Sequence, residues 1–167
     1  MLTALDADPS MLDEGEREFV AMIRKHGWAN TTVPSDDEGP GFCFTTGFWL
    51  AFNFPEIIIF SLRSEVAHDT FWYMHGELKA GRTFKIGEPT DAIFETTKAV
   101  LVEVSESQFP EYLGMNRWFY GGDNFKSLQL VWPDRGGRFP WHFDMSNEFI
   151  NRQPDLTVGN WSGLRRH

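Results

Sequence analysis

The sequence predicts an α+β fold, a single domain in which a mainly antiparallel sheet packs against two or three helices. Three observations carry this. A capped amphipathic helix is written across 13–27. A continuous apolar, β-branched run at 55–62 suits a strand placed centrally in a sheet. Alternation with the period of a strand returns at Val100, Val102 and Val104, and again at Leu128, Leu130 and Trp132.

Taken in order, 1–12 is small and polar and is expected to be a flexible N-terminal segment. From Asp13 a helix is expected: Asp13 is a good N-cap, Glu14 and Glu16 suit the positive first turn, and Arg24, Lys25 and His26 suit the negative last one. Phe19, Val20, Met22 and Ile23 supply its apolar stripe, and Gly27 its C′ residue. Trp28 to Val33 reads as a short strand, and 34–41 as a loop of turn formers and acids. Asp36, Asp37 and Glu38 lack the ligand spacing of a calcium loop, so a solvated loop is expected there. Phe42 to Phe48 is the next strand, 49–54 a connection, and 55–62 the central strand.

Ser64 is expected to cap a second helix over 65–80, with Ala67, Phe71, Met74 and Leu78 facing the sheet and Gly81 ending it. His68 and His75 share a face of that helix, but two turns separate them by about 10 Å, too far to share a metal without a third element. Short strands are expected at 82–87, 92–94 and 98–104, and a weak helix at 109–118. The domain is expected to span 13–158, with a loose tail over 159–167.

The stretch from Leu128 to Trp141 organises the rest. Pro133 lacks an N–H and ends the strand, Asp134 with Gly136 and Gly137 makes a turn, and Phe139-Pro140-Trp141 is expected to bring the chain back as the second arm of a hairpin. Arg135 and Arg138 then sit on a tight turn between Trp132 and Trp141. Aromatic residues and arginine are the types enriched in interface hot spots, so Trp132, Asp134, Arg135, Arg138 and Trp141 are candidate binding residues. Anchoring the turn in the core explains the same tryptophans equally well.

At 167 residues the chain has the length of one domain, and its sixteen Phe and seven Trp can form a large aromatic core. The formal charge of -9 argues against nonspecific nucleic-acid or anionic-membrane binding and permits a basic protein partner. Arg152, Arg165 and Arg166 make the end mildly basic. Cys43 is the single cysteine, so no intramolecular disulfide forms, and its place between Phe42 and Phe44 suits a small buried thiol. With no signal-peptide pattern and no long apolar window, a cytoplasmic location is expected. No metal and no cofactor is expected, and the sequence fixes no oligomeric state.

With these motifs in place, the chain resembles the bacterial family called domain of unknown function 4262 (DUF4262). The resemblance runs over 16–156 and rests on the ordered blocks Pro40 to Gly47, Pro55 to Leu62, the helix after Ser64 with Gly81 and Phe84, Leu128 to Asp134 with Phe139-Pro140-Trp141, and Gln153-Pro154. Asn53-Phe54 departs from the Gly-His common before this proline, so any role of that histidine is lost here. The family name assigns no activity, and some uncharacterised families of this kind serve as toxin immunity proteins.

Two functions follow. The first is a noncatalytic protein-binding domain, with toxin immunity as its narrower form. The second is a small enzyme or a flavin- or nucleotide-binding protein in which Thr45, Thr46 and Gly47 approach the ligand within an aromatic-lined pocket. An acid–base site from Asp134, Glu56 and His142 would require those three to converge.

Overall fold

Asp13 starts the first long helix by a reciprocal exchange with Glu16. In this computed structural model, which describes residues 1–159 and 161, the Asp13 carboxylate accepts the Glu16 N–H at 2.8 Å and the Glu16 carboxylate accepts the Asp13 N–H at 2.9 Å. The helix α1 runs Glu14–His26 and closes on Gly27, whose φ of 86° lets its N–H reach the Ile23 carbonyl. Residues 1–12 form two single-turn 3-10 helices, Ala4–Asp6 and Pro9–Met11, and Arg24 donates to the Leu5 carbonyl at 2.5 Å.

Among the described residues five strands form one mixed sheet: β1 (Ala29–Val33), β2 (Phe42–Thr46), β3 (Glu56–Phe60), β4 (Val100–Glu103) and β5 (Ser127–Val131), in the order β1-β2-β3-β5-β4. Three of the pairings are antiparallel and β3 with β5 is parallel. As its unbroken apolar run requires, β3 is central and buried on both faces. Ile57 and Ile59 meet α3 (Ser64–Lys79) through Phe71 and Met74, whereas Ile58 and Phe60 meet Phe109, Leu113 and Phe119 on the opposite face. Phe109 belongs to α4 (Phe109–Tyr112), Phe119 to α5 (Gly114–Tyr120) and Leu113 to the junction between them, at which the weak helix expected at 109–118 divides. The stripe Ala67, Phe71, Met74 and Leu78 packs on the sheet as expected. The helix begins one residue earlier than expected, at Ser64 itself, with Arg63 rather than Ser64 in the capping position.

Three sequence expectations need correction. The connection at 49–54 contains a helix, α2 (Phe48–Phe52), closed by Asn53 at φ 53°. The segments 82–87 and 92–94 are not strands. Gly87 turns at φ 86° and Pro89 has no N–H to offer a ladder, so pairing there shrinks to the Gly87 N–H bond to the Leu101 carbonyl at 2.7 Å and one bridge between Thr90 and Ala99.

The third correction concerns the hairpin. β5 already has β3 on one edge and β4 on the other, so no edge is left for a returning strand. The turn itself forms: Asp134 N–H donates to the Arg138 carbonyl at 2.8 Å and Gly137 N–H to the Asp134 carbonyl at 3.0 Å. Phe139 and Trp141 then stack on each other, 5.0 Å apart and 6° from parallel, and pack with Val100, Val102, Val131 and Trp161. Where the ladder stops, a side chain replaces the missing strand. The Gln153 amide accepts the Trp132 N–H at 3.0 Å and donates to the Trp132 carbonyl at 2.8 Å. Gln129 does the same for Pro154 and Leu156, so the polar residue of the β5 alternation is wholly buried. This draws in α6 (Asn147–Arg152) and the residues after it. Of the tail expected to be loose, Trp161 is buried against Trp141; 160 and 162–167, with Arg165 and Arg166, lie outside the described residues.

Candidate functional site

Thr45 and Thr46 are fully buried. The Thr45 hydroxyl donates to the Glu56 carboxylate at 2.8 Å, and the Thr46 hydroxyl donates to Asn116. Neither has surface left for a flavin or a phosphate. Glu56, at the start of β3, is the hub. It also accepts the backbone N–H groups of Gly47 (2.9 Å), Phe48 (3.1 Å) and Trp49 (3.2 Å) and the Tyr120 hydroxyl (2.5 Å). Those three N–H groups are the otherwise unpaired donors at the start of α2, so a carboxylate from another element caps this helix. Gly47 permits the arrangement: a Cβ there would stand 2.5 Å from the Gly27 carbonyl oxygen, at a φ of +123°. Burial pushes the Glu56 carboxyl above its ordinary value, against the pull of its donors, led by Tyr120. Burial, then the neighbouring Glu56 carboxylate, push the Tyr120 phenol well above its usual range. The pair is sealed, so it holds structure and meets no substrate.

Asp134, Glu56 and His142 do not converge into an acid–base site. Glu56 is paired in register with Ser127 at the first residue of β5, whereas Asp134 lies beyond the other end of that strand, on the order of 20 Å along it. Asp134 accepts from Gly136 N–H and Arg138 N–H, both at 2.9 Å, and His142 Nδ1 is engaged with the Phe139 backbone. Arg138 reaches both Asp134 and Asp144, while Arg135 is exposed. Trp132 and Trp141 are buried, so at both ends of the turn the tryptophans anchor it.

Cys43 is buried against the Thr32 hydroxyl, and burial pushes its thiol up, away from the thiolate a nucleophile needs. His68 accepts the Trp72 indole N–H at 2.7 Å, and both His68 and His75 lie against the Trp28 ring. Among the described residues no three His, Cys, Asp or Glu gather to hold a metal ion.

A cleft of about 820 Å³ lies between α3 and the loop that leaves the Thr90–Ala99 bridge. Its size is that of a ligand site. Leu62, Ile93, Trp132 and Pro133 supply apolar surface, and Asp69, Asp91 and Glu95 line it as exposed carboxylates, with no Lys or Arg among the described residues that line it. Two matching backbone bonds, Thr90 N–H to Ala99 O at 2.8 Å and the reverse at 2.9 Å, close the base of the loop. The Tyr73 hydroxyl ties the loop to α3 by donating to the Ala92 carbonyl at 2.9 Å, while the residue stays 45% exposed. The Trp132 ring, by contrast, is covered by the Arg152 guanidinium at 4.8 Å, and its indole N–H donates to the Phe60 carbonyl.

Of the residues chosen from sequence, Trp132 alone lines this cleft. Asp69, Tyr73, Asp91 and Glu95 went unselected. One signal was available: Asp69 and Tyr73 stand four apart on α3, on a face apart from its Phe71–Met74 stripe.

A family model described as "Domain of unknown function (DUF4262)" matches residues 22–146, most of the chain. No curated protein and no solved structure matches.

Proposed function

The chain belongs to the DUF4262 family, and we propose that it is a noncatalytic protein-binding domain whose partner is a basic protein. The observation that carries this reading is the cleft, where three carboxylates and an apolar floor meet without a cation among the described residues that line it. In a chain of formal charge -9, that arrangement attracts a positive surface at long range and offers it an apolar landing at short range. The narrower form is an immunity protein that neutralises a basic toxin in a bacterial cytoplasm. The cofactor reading has less support: Thr45 and Thr46 have no free surface, and the acidic cleft would repel a phosphate.

Affinity capture from the native host tests the proposal. The wild-type chain should retain a basic protein that the triple variant Asp69→Asn/Asp91→Asn/Glu95→Gln loses, with retention falling as salt rises. If both chains retain the same proteins, the cleft is not the interface. Loss in Arg135→Ala or Arg138→Ala instead would move the interface to the 134–138 turn.

A further inference from the structure

We infer that the face of Tyr73 is the seat for an arginine side chain, carried on an exposed segment of the partner. This rests on the protein-binding reading and names the chemistry the cleft selects. Tyr73 combines two properties that seldom coincide. Its ring is exposed, yet its hydroxyl is pinned to the Ala92 carbonyl at 2.9 Å, so the surface it offers is already ordered. An aromatic side chain held in this way loses little freedom on binding.

Carboxylates line both walls of the cleft, Asp69 on α3 and Asp91 and Glu95 on the loop. Asp69 lies one turn back on the same helix, with Cβ atoms about 5–6 Å apart at that spacing. Asp91 directly precedes Ala92, the residue to which the ring is tethered, and Glu95 stands further along the loop. A cation over the Tyr73 face therefore meets opposite charge from α3 and from the loop together.

Arginine fits this better than lysine. Its planar guanidinium stacks on a ring while its fork of N–H donors points outward in the ring plane, toward carboxylates in more than one direction. The chain makes such a contact itself at the edge of the cleft, where Arg152 covers Trp132 at 4.8 Å. With the Trp132 ring already occupied and Phe94 half-buried against the core, Tyr73 is the most exposed aromatic among the described residues that line the cleft. At about 820 Å³ the cleft exceeds one side chain, and its floor of Leu62, Ile93 and Pro133 takes an apolar residue beside the arginine.

The probe is the capped peptide acetyl-Gly-Leu-Arg-Leu-Gly-amide, titrated into the full chain and followed by amide shifts in a ¹H–¹⁵N spectrum. Shifts should concentrate at 69–73 and 91–95. Replacing the arginine by citrulline, which keeps the shape and removes the charge, should weaken binding about 10-fold or more, and lysine about 3-fold. Tyr73→Leu should weaken it about 10-fold while the spectrum stays that of a folded chain; Tyr73→Phe, which keeps the ring, should lose about 3-fold or less. Equal binding of the citrulline peptide, shifts centred elsewhere, or no shifts at 10 mM peptide would overturn the arginine seat. The capture experiment separates the two ideas. A partner lost with the triple carboxylate variant but kept by Tyr73→Leu removes the seat and leaves the binding function standing, whereas a partner kept by both removes the function assigned to the cleft.

Discussion

Replacing Glu56 by leucine strands every hydrogen-bond donor that its buried carboxylate accepts. Five donors converge on the carboxylate, from Thr45, Gly47, Phe48, Trp49 and Tyr120. The two hydroxyls can rotate toward other acceptors, but the three backbone N–H groups at the start of α2 cannot. At about 1–3 kcal/mol for each buried donor left unpaired, and allowing α2 to relax, the variant should lose about 4 kcal/mol. That is a large part of the ~5–15 kcal/mol that holds a domain of this kind together. Glu56→Gln keeps one acceptor oxygen and should cost roughly half as much. Because burial raises the folded carboxyl above its ordinary 4.5, the folded chain holds that proton more tightly than the unfolded chain. The advantage of wild type over Gln therefore narrows as pH rises above about 4.5. Urea unfolding followed by tryptophan fluorescence measures all of this, with an unchanged slope. A Leu variant within about 1 kcal/mol of wild type would refute the helix-capping role.

Other perturbations have smaller, equally directed outcomes. Burial, then Lys79 and His26, hold His75 below its ordinary 6.5, so the unfolded chain takes that proton more readily. Stability is then full above about 6.5 and falls as pH drops through and below it, and His75→Gln should flatten that slope in a pH series of thermal melts. Gln153→Ala removes both partners of the Trp132 backbone and should cost about 2 kcal/mol by chemical denaturation. Arg138→Ala breaks two exposed ion pairs and should change stability by about 0.5 kcal/mol or less in the same assay.

What the sequence disclosed and what it hid divide on a physical line. Where an element is specified by its own residues, it was legible. Asp13, Glu16 and Gly27 mark α1 at both ends, the run Ile57-Ile58-Ile59-Phe60 marks a strand buried on both faces, and the stripe on α3 points at the sheet. Where an element is specified by something distant, it was not. The five residues of α2 have no capping side chain of their own, because the cap arrives from β3. Gln129 looked like the solvent side of a half-buried strand, yet its amide is satisfied by Pro154 and Leu156, far along the chain. The hairpin failed for a topological reason, since the parallel neighbour β3 occupies the edge that a returning strand would use.

The cleft was hidden in the same way. Tyr73 and Ala92 lie nineteen residues apart and are joined by one hydroxyl bond, which no local pattern announces. Asp91 and Glu95 flank the segment 92–94 that was expected to pair as a strand, where exposed carboxylates would have been solvent decoration. Glu56 was the one visible anomaly: a carboxylate opening an apolar run, which turns out to mark a cap rather than an acid–base group.

The most direct measurement is photo-crosslinking in native lysate, with a photoreactive amino acid placed either at Thr96 on the cleft wall or at Arg135 on the turn. The account predicts that the Thr96 probe crosslinks a basic protein and that the yield falls steeply between low and high salt, while the Arg135 probe crosslinks nothing comparable. A salt-sensitive crosslink from Arg135 with none from Thr96 would contradict it.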